Sequence, residues 1–297
     1  MRVFVTGASG FVGSAIVKEL VAAGHEVLGL VRSDKGAEQL ITAGAEVLRG
    51  DVNDTDAIRR GADACDAVIH TAFNHDFSRY KASCEDDRKV IETFGDVLTG
   101  TGKALVITSG VGLLNYGRLV SETDALPAGS DQIPRAASEE AAKAVSAKGV
   151  DVYVVRLPPS VHGAGDGGFV PMVMAMAREK GESAYAGDGS NQWPAVHRSD
   201  AAALYKLIVE KRPSLKTFHA VSETGVPFRE IAQAIGKGLN LPVTSKSGDA
   251  IAGHFGWLSH FAAINCPSSS EQTRRALDWE PQGPGLIEDM QASYFGS

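Results

Sequence analysis

The sequence predicts an α/β fold, a doubly wound parallel sheet with a smaller C-terminal lobe. Three observations carry that prediction. Short apolar runs alternate with helix-period segments through the first half, a glycine turn joins the first run to the first helix, and the alternation breaks after Leu157. Strands of a parallel sheet covered on both faces read as continuous apolar runs, and the segments between them must be long enough for a crossover helix.

The elements follow in order. Val3 to Thr6 is the first strand, Gly7-Ala8-Ser9-Gly10-Phe11-Val12-Gly13 the turn, and Ser14 to Ala23 a helix. Further strands are expected at Glu26 to Val31, Ala45 to Leu48, Ala67 to Thr71, Ala104 to Thr108 and Val152 to Leu157, most of them separated by a helix-length segment. Beyond Pro158 come a glycine-rich loop at Gly163 to Gly168, a helix at Phe169 to Lys180, and short irregular strands from Tyr185 to His197. A helix near Asp200, with Asp200 as its N-cap, is expected next. Phe218 to Val221 returns as a strand and Phe228 to Leu239 as a helix, and helical pieces broken by Pro and Gly run to Leu286 to Tyr294.

Composition narrows the function classes. The 297 residues carry 29 Lys and Arg against 36 Asp and Glu, a net charge of −7, so no overall positive field exists to hold a nucleic acid. Cys65, Cys84 and Cys266 are an odd set without metal-type or redox-type spacing; they read as small buried hydrophobes in a reducing compartment. The start MRVFVTGASGFVG has no signal-peptide core, and no apolar run approaches the roughly 20 residues of a membrane span, so a cytoplasmic protein without membrane contact is expected. No cluster with metal-ligand spacing is legible. Oligomeric state stays open.

The glycines of the turn have separate duties. Gly7 permits the tight bend, Gly10 lets backbone amides approach a pyrophosphate, and Gly13 lets the helix lie against the strand, whose following helix N-terminus offers unpaired N–H groups. A small-molecule dinucleotide is the partner this pattern implies. Residues 1–157 are expected to form the dinucleotide-binding lobe, with later segments returning to it, and 158–297 mainly the substrate lobe.

The order Thr6-Gly7-x-x-Gly10-x-x-Gly13 resembles the extended and atypical short-chain dehydrogenase/reductases, which include sugar-nucleotide epimerases and dehydratases and share a Rossmann-type fold. Further similarities run along nearly the whole chain: Gly50-Asp51-Val52-Asn53, Val68 to Ala72, Thr108-Ser109-Gly110, Arg156 to Gly163, Gly187-Asp188-Gly189 and Val196 to Ala201. The resemblance implies that Asp51 and Val52 meet the adenine, that Thr71 and Ala72 lie along the cofactor, and that Pro159, Ser160 and Val161 border the nicotinamide. With Gly7, Ser9, Gly10, Phe11, Val12 and Gly13 these make the expected cofactor site.

The dinucleotide type is read at the end of the second strand. NAD sites place a carboxylate there for the ribose 2′-OH. Val31 cannot make that bond, while Arg32 offers a planar cation suited to a 2′-phosphate, so NADP(H) is expected. Lys35 is a second phosphate contact or an ordinary surface lysine.

The family's proton donor, a Tyr followed by Lys at the fourth position, is absent: none of Tyr80, Tyr116, Tyr153, Tyr185, Tyr205 and Tyr294 has that lysine. Arg135 takes the Tyr place and Glu139 the Lys place. They read either as a plain helix salt bridge at i and i+4 or as a rearranged catalytic group, in which Arg135 stabilises an oxyanion electrostatically. Ser109 is a donor if its loop turns inward, and Tyr116, His162 and Ser138 are further candidates. Ser109 and Arg135 form the expected catalytic pair. Phe169, Met172, Trp193, Trp257 and Phe261 line an apolar pocket or belong to the core. An NADP(H)-dependent oxidoreductase of a small carbonyl or alcohol leads; a non-catalytic NADP(H) sensor and a sugar-nucleotide epimerase or dehydratase are the alternatives.

Overall fold

The computed structural model of the chain describes residues 1–295. The alternating half builds β1 (Arg2–Thr6), α1 (Phe11–Ala22), β2 (Glu26–Val31), α2 (Asp34–Thr42), β3 (Glu46–Arg49), α3 (Thr55–Asp63), β4 (Ala67–His70), α4 (Tyr80–Leu98), β5 (Ala104–Gly110), α5 (Ala137–Ala147) and β6 (Asp151–Leu157). Then follow β7 (Ser160–His162), α6 (Phe169–Lys180), β8 (Ser183–Ala186), β9 (Gln192–His197), α7 (Arg198–Lys211), β10 (Thr217–His219), β11 (Glu223–Pro227), α8 (Phe228–Leu239), β12 (Val243–Lys246), α9 (Asp249–Phe255), α10 (Ser259–Ala262), α11 (Glu271–Leu277) and α12 (Leu286–Ser293).

Seven parallel strands order as β10-β6-β5-β4-β1-β2-β3, a Rossmann-type sheet. Strand side chains alternate between faces. Val3 and Val5 therefore bury with Ile16, Val17 and Leu20 of α1 and with α7, while Phe4 buries on the opposite face with Ile58 of α3 and Phe94 of α4. The chain reverses direction of winding between β1 and β4. Open α/β sheets bind ligands at such a switch point, outside the carboxyl ends of the strands.

The C-terminal half forms a three-stranded sheet β11-β9-β7 and a two-stranded one, β12-β8. Trp193, Phe228, Phe255 and Leu258 lie in its own apolar cluster. Two of its segments serve the first sheet: β10 adds the seventh strand, and the buried face of α7 joins the cluster of β1 and α1. Asp200 is not the N-cap of α7. His197 caps that helix, and the Asp200 carboxylate instead accepts from the backbone N–H groups of Gln282 and Gly283, each at 2.9 Å. The three cysteines are buried and free. No helix among the described residues is long and apolar enough to cross a membrane.

Candidate functional site

The turn after β1 is built from backbone. Gly7 has φ +69°, and a Cβ on it would sit 2.7 Å from the Ala72 amide nitrogen and 2.8 Å from Thr71 Oγ1. A Cβ on Gly13 would sit 2.0 Å from the Gly7 carbonyl oxygen, so α1 approaches β1 this closely only because both positions lack side chains. The Gly10 N–H donates to that same carbonyl at 2.8 Å. No side chain caps α1, which begins at Phe11, three residues before the expected helix. The N–H groups of Phe11, Val12 and Gly13 therefore form an uncapped first turn. Thr71 Oγ1 donates to the Thr6 carbonyl at 2.8 Å and holds the β4 end against the turn, and Ser9 lies beside Gly36 at the start of α2.

At the end of β2, Val31 is buried and Arg32 extends into solvent, its side chain 81% exposed and 3.4 Å from the Asp51 carboxylate. The other Asp51 oxygen accepts from Asn53 N and Nδ2, both at 2.9 Å. Val52 lines a hollow of about 350 Å³ with Ile58 and Val90.

Arg135 and Glu139 do not form the i, i+4 pair that their spacing allows. Pro134 opens a single 3₁₀ turn, Pro134–Ala136, so Arg135 precedes α5, and each residue finds a more buried partner. Arg135 Nη1 donates to Asp87 Oδ2 at 2.8 Å and to Ser138 Oγ, and Nη2 donates to the Thr108 carbonyl at 3.0 Å. Asp87 also accepts from Ser138 Oγ at 2.5 Å and from His70 Nε2 at 3.0 Å, while Thr6 Oγ1 lies 2.6 Å from His70 Nδ1. Burial opposes ionisation of Asp87, yet Arg135 and the His70 and Ser138 hydrogen bonds hold its carboxyl well below the usual range. These contacts use three of the five guanidinium N–H bonds. Nε–H and one Nη2–H have no protein acceptor among the described residues.

Glu139 meets Arg156 of β6 in a two-pronged pair, Nε to Oε1 at 2.9 Å and Nη2 to Oε2 at 2.8 Å, and Ser109 Oγ donates to Glu139 Oε1 at 2.6 Å. Gly110 pairs with Leu157, and the Pro159 ring lies within 4.0 Å of a Cβ on Gly112, so the Pro159 to Val161 segment runs beside the end of β5. Ser160 Oγ is buried there without a hydrogen-bond partner among the described residues. Of the further candidates, Ser138 joins the Arg135 network, Tyr116 donates to the Ala125 carbonyl at 3.0 Å, and His162 Nδ1 lies 2.8 Å from Asp289 of α12.

An aromatic wall completes the region. The Arg135 guanidinium carbon lies 4.1 Å from the centre of the Phe73 ring. Phe77 lies 4.6 Å from Trp257, and Phe169 stacks on Phe261 at 4.7 Å, so the loop after β4 meets α6 and the α9–α10 segment of the C-terminal half. Trp193 is core, its indole donating to the Phe261 carbonyl at 3.1 Å, while Trp257 is 51% exposed. Sequence reasoning missed Phe73, Phe77 and Asp87 as parts of this region, and gave Arg156 no contact with Glu139. Asp87 carried a signal: it stands in the stripe Ser83, Cys84, Asp87, Val90, Ile91, Phe94, where helical spacing demands buried residues.

The family described as NAD(P)H-binding matches residues 7–182. An uncharacterized protein of Schizosaccharomyces pombe is 47% identical to this chain over 99% of it and 100% of the relative. A 2-alkyl-3-oxoalkanoate reductase of Stenotrophomonas maltophilia is 28% identical over 83% of this chain and 78% of its own length. Among solved structures, a dTDP-glucose 4,6-dehydratase of Streptomyces venezuelae with NAD and TYD bound superposes with a TM-score of 0.77. It is 19% identical, with 98% of this chain and 97% of that one covered.

Proposed function

The chain belongs to the NAD(P)H-binding family, and from that premise we propose that it is a short-chain dehydrogenase/reductase with the fold of the epimerases and dehydratases, acting as an NADP(H)-dependent reductase of a small carbonyl compound. The observation that carries the reading is the Arg135 guanidinium: a cation fixed by Asp87, Ser138 and the Thr108 carbonyl at the end of β5, with two N–H bonds unspent. A fixed cation stabilises negative charge developing on a carbonyl oxygen without reorganising at the moment of reaction. The similarity to a reductase of 3-oxoalkanoates supports that class. Replacement of the family's Tyr and Lys by Arg135 and Glu139 argues against epimerase or dehydratase chemistry.

The residues fit a dinucleotide: the uncapped first turn of α1 presents N–H groups at a turn closed to any Cβ at Gly7 and Gly13. In this reading Gly7, Ser9, Gly10, Phe11, Val12 and Gly13 hold the pyrophosphate, and Arg32 meets a 2′-phosphate that Val31 does not repel. Asp51 and Val52 border the adenine, Thr71 and Ala72 flank the chain of phosphates, and Pro159, Ser160 and Val161 border the nicotinamide. Residues 1–157 then supply most of the cofactor site and 158–297 mainly the substrate lobe. The bound reduced dinucleotide supplies a hydride. Arg135 stabilises the oxyanion, and Ser109, whose hydroxyl donates a hydrogen bond to Glu139, sets the position of that carboxylate.

A non-catalytic NADP(H) sensor is the second reading, favoured by the commitment of Ser109 to Glu139. Titration with NADPH and NADH, followed by a panel of carbonyl compounds, separates the two. The reductase reading expects tighter binding of NADPH and its consumption with at least one carbonyl. Binding without consumption overturns it in favour of the sensor.

A further inference from the structure

Reduction of a carbonyl leaves an alkoxide that must take a proton, and the residues assigned so far do not provide one. A guanidinium is no general acid, and the Ser109 hydroxyl spends its hydrogen bond on Glu139. Four of the six phenols are engaged elsewhere: Tyr116 with a carbonyl, Tyr153 with Asp151, Tyr205 with Thr108 and Tyr294 with Asp166. Tyr185 stands on β8, in the small C-terminal sheet.

Tyr80 is placed differently. It opens α4, half-buried, with its ring edge-on to Phe73 at 6.2 Å and stacked on Phe77 at 5.6 Å. Phe73 is the ring under the Arg135 guanidinium, at 4.1 Å, and Phe77 is the ring that meets Trp257. Among the described residues the Tyr80 hydroxyl makes no hydrogen bond; the Cys84 thiol, one helical turn on, is near enough to help raise its pKa. An incoming oxygen therefore displaces no protein acceptor when it takes a hydrogen bond from this phenol.

Resting on the reductase reading above, we propose that Tyr80 is the proton donor of this site, supplied from the start of α4, which packs on α5 and on the turn before it where the family carries its tyrosine. As the hydride reaches the carbonyl carbon, a C–H bond forms and the C–O π pair moves to oxygen. That oxygen takes the Tyr80 phenol proton, the phenolic O–H breaks as the alcohol O–H forms, and the phenolate recovers a proton from water. The dinucleotide is oxidised by two electrons and the carbonyl reduced by two. Arg135 faces both negative oxygens in turn, so one cation serves the alkoxide and the phenolate.

Burial and Cys84 push the phenol up to about 12, and Arg135 opposes them, so Tyr80 stays protonated through the neutral range with its ionised form favoured by the guanidinium. The other titratable groups around Phe73 and Arg135 are His75 of the loop after β4, its ring 5.1 Å from that of Phe73, and Cys84 and Asp87 of α4. Burial and the Arg135 charge lower the pKa of His75, which disfavours its charged, proton-donating form.

Tyr80→Phe tests the assignment, because it keeps the ring stack and deletes only a hydroxyl without an oxygen or nitrogen partner. With acetophenone as probe, chosen for the aromatic wall, the variant is expected to bind NADPH within about twofold of the parent and to lose about 100-fold or more in kcat. A readout independent of turnover comes from protein labelled with ¹³C at the tyrosine ring carbon that bears oxygen. The resonance missing from Tyr80→Phe is expected to shift when acetophenone is added to the parent loaded with NADP⁺. Unchanged kcat in the variant, or an unmoved Tyr80 resonance at saturating acetophenone, overturns the role of Tyr80 while the reductase reading stands. A parent that binds NADPH and reduces no carbonyl overturns both.

Discussion

The turn after β1 and the start of α5 face the same end of the sheet and are made in opposite ways. At the turn, the working groups are backbone N–H and C=O groups within eight residues, Thr6 to Gly13, and the side chains matter by being absent: a Cβ at Gly13 would lie 2.0 Å from the Gly7 oxygen. At the start of α5 the working groups are side chains from well separated places, Thr6, His70, Asp87, Arg135 and Ser138 in one network and Ser109, Glu139 and Arg156 in the next. A site made of backbone leaves a spacing signature in the chain. One made of side-chain pairs leaves single residues whose meaning depends on a partner far away.

The largest effect expected from breaking this contrast is at Asp87. Asp87→Ala leaves the Arg135 cation, 13% exposed, without its carboxylate, and is expected to cost about 3–5 kcal/mol in urea unfolding. The double variant Asp87→Leu with Arg135→Met should recover most of that loss, because removing both charges leaves none unpaired. A loss below about 1 kcal/mol in Asp87→Ala would show that the network does not hold the structure.

Next in size is the pair of glycines. Gly13→Ala forces a methyl into the Gly7 carbonyl and is expected to cost about 1–3 kcal/mol, whereas Gly10→Ala, whose Cβ would sit 3.1 Å from that oxygen, should cost less than 1 kcal/mol. Gly10→Val should still abolish dinucleotide binding in a folded protein, as followed by NADPH fluorescence. Unchanged affinity there would show that the turn does not cradle the phosphates.

Acid should loosen the side-chain site. His219 is buried 3.4 Å from Arg156, and burial, with the Arg156 charge adding to it, lowers its pKa to about 4. The unfolded chain, at about 6.5, binds the proton more readily. Stability from this group is therefore present above pH 6.5 and lost as pH falls towards 4. The urea midpoint should drop across that window in the parent and drop less in His219→Gln; equal slopes would sink the assignment.

The smallest effect is at Arg32. Its side chain is exposed and its contact with Asp51 is long, so Arg32→Ala should leave stability within about 0.5 kcal/mol. It should also weaken NADPH binding about tenfold and leave NADH binding unchanged, the loss of roughly one charge-assisted contact. Equal binding of the two dinucleotides by the parent would remove the NADP(H) preference.

The sequence by itself determined the elements whose signals are local. Glu26–Val31, Phe169–Lys180 and Phe228–Leu239 stand where apolar runs and helical spacing put them, and the six strands of the first half are all present. The glycine turn was legible because its backbone conformation is set by the residues that adopt it. Only the tertiary structure decided that α1 begins at Phe11, that Asp200 holds the Gln282–Gly283 backbone, and that Arg135 and Glu139 turn away from each other. The i, i+4 spacing offered a pair worth a few tenths of a kcal/mol at a helix surface. Folding brought Asp87, 48 residues away, to Arg135, and Arg156, 17 residues away, to Glu139, and burial strengthens those pairs in a way that spacing along the chain does not encode.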